Sequence, residues 1–394
     1  MQILMILTNA YRPDPRVARE ATALALAGHH VSIFCWDRRA EYPEHEYQPG
    51  VEITRFHGAR TSYGLGAKQI LHIPRFWLAA YRFALALRPD VIHCHDLDTL
   101  FPGVRAKQKI GCSLVYDAHE HYPALMSLYL PAGWVKALAR FERSLYREAD
   151  SVITASSILA DEWRSLGLTS VSVIGNYASL QDFDKIRLQD IAVERSALGV
   201  SPDDLIVAYI SGFSKNREIL PFIEAGRDLP RVSLQIWGDG HQRQEVQASI
   251  GGATNIFYRG WLQESKVPLF MLVYDAIYYC LRRDYPGAIY NAPNTLSNAM
   301  AAGRPILASD IPGNRRHVLG ENGGSPCGFL YDLNGPENFV RKAIALIDDE
   351  RLRRSLGEAG QKESTQGPSP EDEAIQLVLA YDRAMDSAKD AIRK

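Results

Sequence analysis

Two His-x-His pairs, His93/His95 and His119/His121, each lie at the end of an apolar, strand-like run, with Asp96, Asp98, Asp117 and Glu120 among them. Taken literally, imidazoles and carboxylates in this number could hold a divalent cation for a hydrolase. An H-x-H in a strand, however, puts both rings on one face of the sheet, where they more often hydrogen-bond to backbone or to a carboxylate. No further His/Asp ligand cluster follows downstream, so no metal is expected. Asp96–Leu97–Asp98 has the form of a metal–nucleotide DxD motif, a pattern too short to carry weight.

A second set is suited to an anion. Ser211–Gly212–Phe213–Ser214–Lys215–Asn216–Arg217 follows a strand and precedes a helix. Gly212 permits close backbone approach, and cations at a helix N-terminus oppose the helix dipole, so an external anion is a reason for Lys215 and Arg217 to be there. Gly238–Asp239–Gly240 ends the next strand in the same way. Residues 284–313 then read as a loop, a helix over Pro293–Ala302 stopped by Gly303, a buried strand Pro305–Ser309, and a turn Ile311–Asn314 opening another helix. Two helix N-termini in one short region offer unpaired N–H groups and partial positive charge, which suits a diphosphate.

The elements that must carry these residues alternate. Gln2–Thr8 and His30–Trp36 are near-continuous apolar runs, as for parallel strands covered on both faces, with a helix Val17–Ala27 between them. The loop Asn9–Arg16 lies at the carboxyl end of the first strand, where open α/β sheets bind ligands, and lacks GxGxxG. Asp14 and Arg16 are candidates to touch a polar ligand there, or to cap the helix and pair. Further strands are expected from Asp90, at Ser113–Tyr116, Ser151–Thr154 and Val171–Ile174. A second series comprises Leu205–Ser211, Val232–Trp237, Asn255–Tyr258, Asp275–Cys280, Pro305–Ser309 and Gly328–Tyr331, with closing helices Pro336–Ile347 and Glu350–Gly360. The fold class is α/β, with two doubly wound Rossmann-like domains facing across a cleft. Their expected bounds are 1–178, a polar linker 179–200 with a short helix, 201–368, and a C-terminal helix 369–394 packing back on the first domain.

Length and composition agree. The 394 residues exceed one ordinary core, and 46% hydrophobic with 23% charged residues is globular composition. A net charge of -2 gives no global reason to bind nucleic acid. Cys35, Cys94, Cys112, Cys280 and Cys327 are odd in number and scattered, as for core thiols in a reducing compartment. No apolar run is long enough to span a membrane, and a cytoplasmic location is expected. The stretches Lys68–Arg88 and Leu128–Tyr146 interleave basic and aromatic residues, so a peripheral contact with an anionic membrane stands beside the plainer reading of amphipathic helices packed on the sheet.

In order along nearly the whole chain, D-P-R-V-x-x-E-A (14–21), V-I-H-C-H-D (91–96), V-Y-D-A-H-E (115–120), A-D-S-V-I-T-A-S (149–156), Gly212 with Arg217, G-D-G (238–240), R-G-W (259–261) and N-A-M-A-A-G-R-P-I-L-A-S-D (298–310) resemble the retaining glycosyltransferases of family 4, which have the two-domain GT-B architecture. The resemblance implies a nucleoside diphosphate sugar donor, a UDP-sugar first, on the second domain, a glycan or lipid-linked saccharide acceptor on the first, and no metal or other cofactor. It places Arg217 and Lys215 on the diphosphate and His119 near the donor sugar, the three catalytic candidates. It puts Arg259 and Trp261 by the nucleobase, with Gly212, Gly238, Asp239, Gly240, Asn291, Asn294, Thr295 and Leu296 also on the donor side. Asp14, Arg16, His95, Asp96 and Glu120 fall on the acceptor side. The chain departs from the family where its Glu-x7-Glu pair would fall, at Tyr290 and Asn298, and Glu218 stands where Gly is frequent. Asn298 can still reach a ribose hydroxyl, whereas a sugar without the carboxylate would rely on backbone N–H groups around 291–295. The missing glutamates keep a non-catalytic sugar-nucleotide sensor or partner subunit open, and a sugar-nucleotide epimerase of the same architecture is a third reading.

Overall fold

The computed structural model describes residues 1–12, 14–58, 72–227, 229–320, 324–331, 344 and 348–393, with side chains up to residue 387. The expected helix over 336–347 and Lys68 of the basic stretch lie outside these residues. Two compact units divide the chain: Met1–Gly175 with Glu371–Lys394, and Asn176–Pro370.

The first unit is built on eight strands: β1 Gln2–Leu7, β2 His30–Trp36, β3 His45–Gln48, β4 Val51–Phe56, β5 Val91–His95, β6 Ser113–Ala118, β7 Ser151–Thr154 and β8 Val171–Val173. Their order is β3-β4-β2-β1-β5-β6-β7-β8, parallel except for β3. The apolar runs Ile3–Leu7 and Val91–His95 are buried throughout, because helices cover both faces. The β3–β4 hairpin was not expected. Its edge strand His45–Glu46–Tyr47–Gln48 is half exposed and polar, as an edge can be, and the signal lay in Pro49–Gly50 before the alternating Val51, Ile53 and Arg55.

The second unit carries β9 Leu205–Ile210, β10 Val232–Trp237, β11 Ile256–Gly260, β12 Ala276–Tyr279, β13 Ile306–Ser309 and β14 Gly328–Tyr331, all parallel, in the order β11-β10-β9-β12-β13-β14. Stacked aromatic rings fill its core, with Phe222 and Tyr278 centroids 4.0 Å apart. Residues 179–200 are not a free linker. They form helices Leu180–Asp184 and Leu188–Ala197 inside this unit, where Arg195 donates to the Val273 carbonyl (2.8 Å) and pairs with Asp275 (3.0 Å). The helix Glu350–Gln366 runs past the expected Gly360, since Gln361, Lys362 and Glu363 are good helix formers on a solvated face.

The last helix, Pro370–Arg393, belongs to the first unit. Leu377, Ala380, Tyr381 and Ala384, one face at helical spacing, pack into the core with Ile3, Met5, Val17 and Leu24. In both units the strand order reverses beside a central strand, between β1 and β5 and between β9 and β12. Ligands of open α/β sheets bind outside the carboxyl ends at such a switch point, and His95 with Asp96 after β5 and Gly212 with Arg217 after β9 fall there, whereas Arg259 and Trp261 lie at the edge strand β11.

Candidate active site

In the first unit the switch point gathers His95 at the end of β5, Asp96 after it, and Asp117 with His119 at the end of β6. His119 Nε2 lies 3.2 Å from Asp117 Oδ2 and 3.1 Å from His95 Nδ1, and its Nδ1 is 3.7 Å from Asp96 Oδ2. Burial disfavours the charged ring, but the carboxylates of Asp96 and Asp117 on either side outweigh it and push His119 up to about 10. His119 is therefore an imidazolium at neutral pH, about a quarter exposed (23%). Asp117 stays ionised well below the ordinary carboxylate range; burial opposes this, and Arg16 and His119 overcome it. His95 and His93 are pushed down, chiefly by burial, and are neutral. Burial, with Asp98, Asp117 and Glu120 nearby, raises Asp96 to about 7.

The other acceptor-side candidates divide. Arg16 is buried and grips both oxygens of Asp117 (3.0 and 2.8 Å), the Ile174 carbonyl (3.0 Å) and Glu20 (3.2 Å), so it is built into the fold. Asp14 caps the helix Pro15–Leu26 by accepting from Val17 N–H and also accepts from Asn9. Glu120 is exposed. The second H-x-H pair splits, because His121 caps the helix Tyr122–Met126 through Nδ1. His93 is fully buried and meets the Tyr381 hydroxyl at 2.7 Å.

Glu20, His93, His95 and Asp117 bring possible ligand atoms within 4.8 Å of one another. Arg16 already supplies a cation to both carboxylates, so the group is an ion-pair network in which a metal would meet a guanidinium. Sequence reading named Asp117 only among the carboxylates around the His-x-His pairs and gave it no place beside His119 in the transfer site. Its signal was the i, i+2 spacing to His119, which puts both on one face.

In the second unit Arg217 sits at the switch point. Its guanidinium lies over the Tyr279 ring (4.7 Å), Nη1 donates to the Cys280 carbonyl (3.3 Å), and Nε is buried without a hydrogen-bond partner. Tyr279, not foreseen as a site residue, donates to Asn291 Oδ1 (3.0 Å). Asn291 Nδ2 donates to Asn314 Oδ1 (2.9 Å), and the fully buried Asn314 donates to Ser309 O (2.9 Å). This chain ties Arg217 to the start of the helix Pro312–Leu319. Neither Tyr279 nor Asn314 carried a sequence signal beyond lying in a strand and a turn.

Gly212 has open space, since a Cβ there would meet nothing nearer than 3.9 Å. Gly238 and Gly240 serve loop packing: at φ +152° and +149° their Cβ atoms would lie 2.1 Å from Ser211 O and 2.5 Å from Phe213 O. The Asp239 carbonyl accepts from Phe213 N–H (2.9 Å), and its carboxylate faces Arg243. Arg259 is tied to Gln235 Oε1 and the Leu198 carbonyl (2.7 Å each), a structural bridge, while Trp261 is 59% exposed. Asn298 turns back to the Asn294 carbonyl (2.8 Å), Thr295 donates to Ile210 O (3.0 Å), and Leu296 is core. The Asn291 amide donates to Ala288 O (3.3 Å) and is occupied. Asn294 is exposed in the first turn of its helix, Tyr290 is half-buried at the end of a 3₁₀ turn, and Lys215 is exposed on the loop.

Residues 13–176 match the sequence profile of the glycosyl transferase 4-like domain, and residues 190–363 match that of glycosyl transferases group 1. Together these matches cover most of the chain, which belongs to the glycosyl transferase family they describe. Among curated relatives, a sulfoquinovosyl transferase of Arabidopsis thaliana is 22% identical over 70% of the chain and 53% of its own length. A lipopolysaccharide core glycosyltransferase of Rhizobium meliloti is 23% identical over 56% of the chain and 60% of its own. The chain thus spans little more than half of these two. A GDP-mannose-dependent alpha-mannosyltransferase of Mycolicibacterium smegmatis is 24% identical, with 89% and 88% covered. Sucrose-phosphate synthase from Thermosynechococcus elongatus shares the chain's fold at a TM-score of 0.80, 19% identity and 97% and 99% coverage. HepE of Anabaena, solved with UDP-glucose, does so at 0.71, 18%, and 96% and 99%. Among the described residues, no helix is long and apolar enough to cross a membrane.

Proposed function

We propose that the protein transfers a hexosyl group, with retention and without a metal, from a nucleoside diphosphate sugar to a glycan or lipid-linked saccharide. The observation that carries this is Arg217 at the β9/β12 switch point, fixed by Tyr279 and Cys280 beside the start of the helix Pro312–Leu319. The bond from the anomeric carbon to the diphosphate breaks, the acceptor oxygen bonds to that carbon on the same face, and its proton passes to the departing phosphate oxygen. Arg217, Lys215 and the helix N-terminus stabilise the leaving charge, and preorganised donors of this kind are worth roughly 3 kcal/mol each. His119, held as an imidazolium between Asp96 and Asp117, is a hydrogen-bond donor for a substrate hydroxyl at the first unit. A UDP-sugar is favoured by the UDP and UDP-glucose held by HepE, which shares the fold.

A thermal-shift screen of nucleotides tests the donor site. A ligand at about 100 times its Kd stabilises by roughly 2.7 kcal/mol. Arg217→Ala is expected to abolish that shift, and an unchanged shift removes Arg217 from the site. The turn of Asn298 back onto its own helix, with Tyr290 in place of a carboxylate, favours a second reading as a non-catalytic sugar-nucleotide sensor. Binding without release of nucleoside diphosphate selects that reading.

The first unit also supports peripheral contact with an anionic membrane. Helices Ile73–Leu87 and Ala132–Tyr146 expose Arg75, Arg82, Lys136, Arg140 and Arg143, with Trp134 69% exposed. Binding to phosphatidylglycerol vesicles that weakens with salt and with Trp134→Ser is the expected result. Equal binding to phosphatidylcholine would refute it.

A further inference from the structure

Glu20 lies on the helix Pro15–Leu26 inside the first unit and is 5% exposed. A carboxylate at that depth is ordinarily hydrogen-bonded, yet among the described residues neither of its oxygens receives a hydrogen bond. The neighbouring guanidinium is committed elsewhere. Arg16 Nε is 3.2 Å from Glu20 Oε1 but donates to Asp117 Oδ2 (3.0 Å), while Nη2 donates to Asp117 Oδ1 (2.8 Å) and Nη1 to the Ile174 carbonyl (3.0 Å). Asp117 therefore collects two donors from Arg16 and faces His119 Nε2 at 3.2 Å. Glu20 meets Asp117 directly, and two carboxyl groups in contact inside a core do not both ionise. Asp117 holds the charge-assisted bonds, so the proton belongs to Glu20. Behind this pair, the fully buried Tyr381 of the last helix meets His93 Nδ1 at 2.7 Å. Among the described residues the hydroxyl proton has no other acceptor, so it goes to Nδ1, and the neutral His93 carries its own proton on Nε2. That N–H faces Asp117 Oδ2 (3.9 Å) and Glu20 Oε2 (4.0 Å).

We propose that Glu20 is a neutral carboxylic acid in the working protein, its proton shared with Asp117, and that Glu20 and Tyr381 are positioning residues for His119. The inference rests on the reading above only for what His119 does to a substrate. Every group in it belongs to the first unit. The Glu20 proton leaves Arg16 wholly to Asp117, and Asp117 in turn keeps His119 charged and in place. Ionising Glu20 would set a second negative charge against Asp117 and divide the guanidinium between them. Tyr381 acts one step further back, by fixing which nitrogen of His93 presents a proton to the pair. Burial and the charge of Asp117 push Glu20 up to about 8, against Arg16 and His119. The groups around it are Arg16 on its own helix, Asp117 and His119 at the end of β6, His93 and His95 from β5, and Tyr381 from the last helix, with Glu373 acting on Arg16.

Infrared difference spectra of the full chain against Glu20→Gln test the proton directly. The carbonyl stretch of a protonated carboxyl is expected at neutral pH and is lost as pH rises through about 8; its absence at neutral pH overturns the proposal. Melting gives a second test. Glu20 binds its proton more tightly in the fold than at the ordinary 4.5, so its contribution is complete below pH 4.5 and is lost as pH rises through about 8. Glutamine carries no such proton, and Glu20→Gln is expected to melt above the unsubstituted protein at about pH 8, the gap closing toward acid pH. A variant that melts lower at that pH shows an ionised Glu20 paired with Arg16 instead. Tyr381→Phe keeps the ring in its stripe and removes only the hydroxyl. Nitrogen-15 NMR is expected to show His93 losing its single Nε2–H tautomer, and the His119 titration to fall by roughly half a pH unit or more. Leu377→Val, in the same stripe, is expected to destabilise without moving that titration. A His119 titration unmoved in Tyr381→Phe, or moved equally by Leu377→Val, removes Tyr381 from the role. Calorimetric binding of Zn²⁺ alone that disappears in Glu20→Gln would make Glu20 a metal ligand and also overturn the proposal. Failure of nucleotides to shift the melting point would sink the transferase reading alone, since none of these signals needs a substrate.

Discussion

A histidine held between two carboxylates makes stability depend on pH in a defined direction. His119 binds its proton more tightly in the fold than in the unfolded chain, rising from 6.5 to about 10. Its contribution is therefore complete below pH 6.5 and is lost as pH rises through about 10. The melting temperature is expected to fall between pH 7 and 10, and His119→Gln to flatten that slope; a calorimetric series that leaves the slope intact assigns the effect elsewhere. At this scale, sequence named His119 and Arg217 as candidates, and the structure places each in the loop after a strand, β6 and β9. Arg16, Asp14 and Arg259 showed only as polar residues in loops or at strand ends, and nothing local distinguishes a guanidinium bound for a ligand from one tied to Asp117 or to the Leu198 carbonyl.

Parallel strands were the most legible elements, since burial on both faces writes them as unbroken apolar runs such as Ile3–Leu7 and Leu205–Tyr209. The hairpin edge His45–Gln48 was not legible because an edge strand need not be apolar. One short helix was expected in the connection, but the bounds and place of Leu188–Ala197 were not legible: none of its residues is buried, so no apolar stripe marks it, and Arg195 carries much of its attachment. The last helix is held by a narrow stripe of Leu377, Ala380, Tyr381 and Ala384. Ala380→Asp would bury an unpaired carboxylate in that stripe and is expected to cost more than about 3 kcal/mol. Chemical denaturation measures it, and a loss under 1 kcal/mol would show the stripe to be loosely packed.

At the scale of the whole molecule, two α/β sheets of parallel character could be read from the alternation of elements, and the order of strands within each follows from right-handed crossovers. Which segments belong to which unit was less legible, because the polar residues of 179–200 looked like a connection and fold as part of a unit instead. The ownership of the last helix has a consequence for how the protein is made. The unit that contains Met1–Gly175 also needs residues 371–394, so its apolar face around Val17 and Leu24 waits uncovered while the intervening segment emerges from the ribosome. The second unit, contiguous in the chain, is free to mature first, and the first closes only once residues 371–394 have emerged.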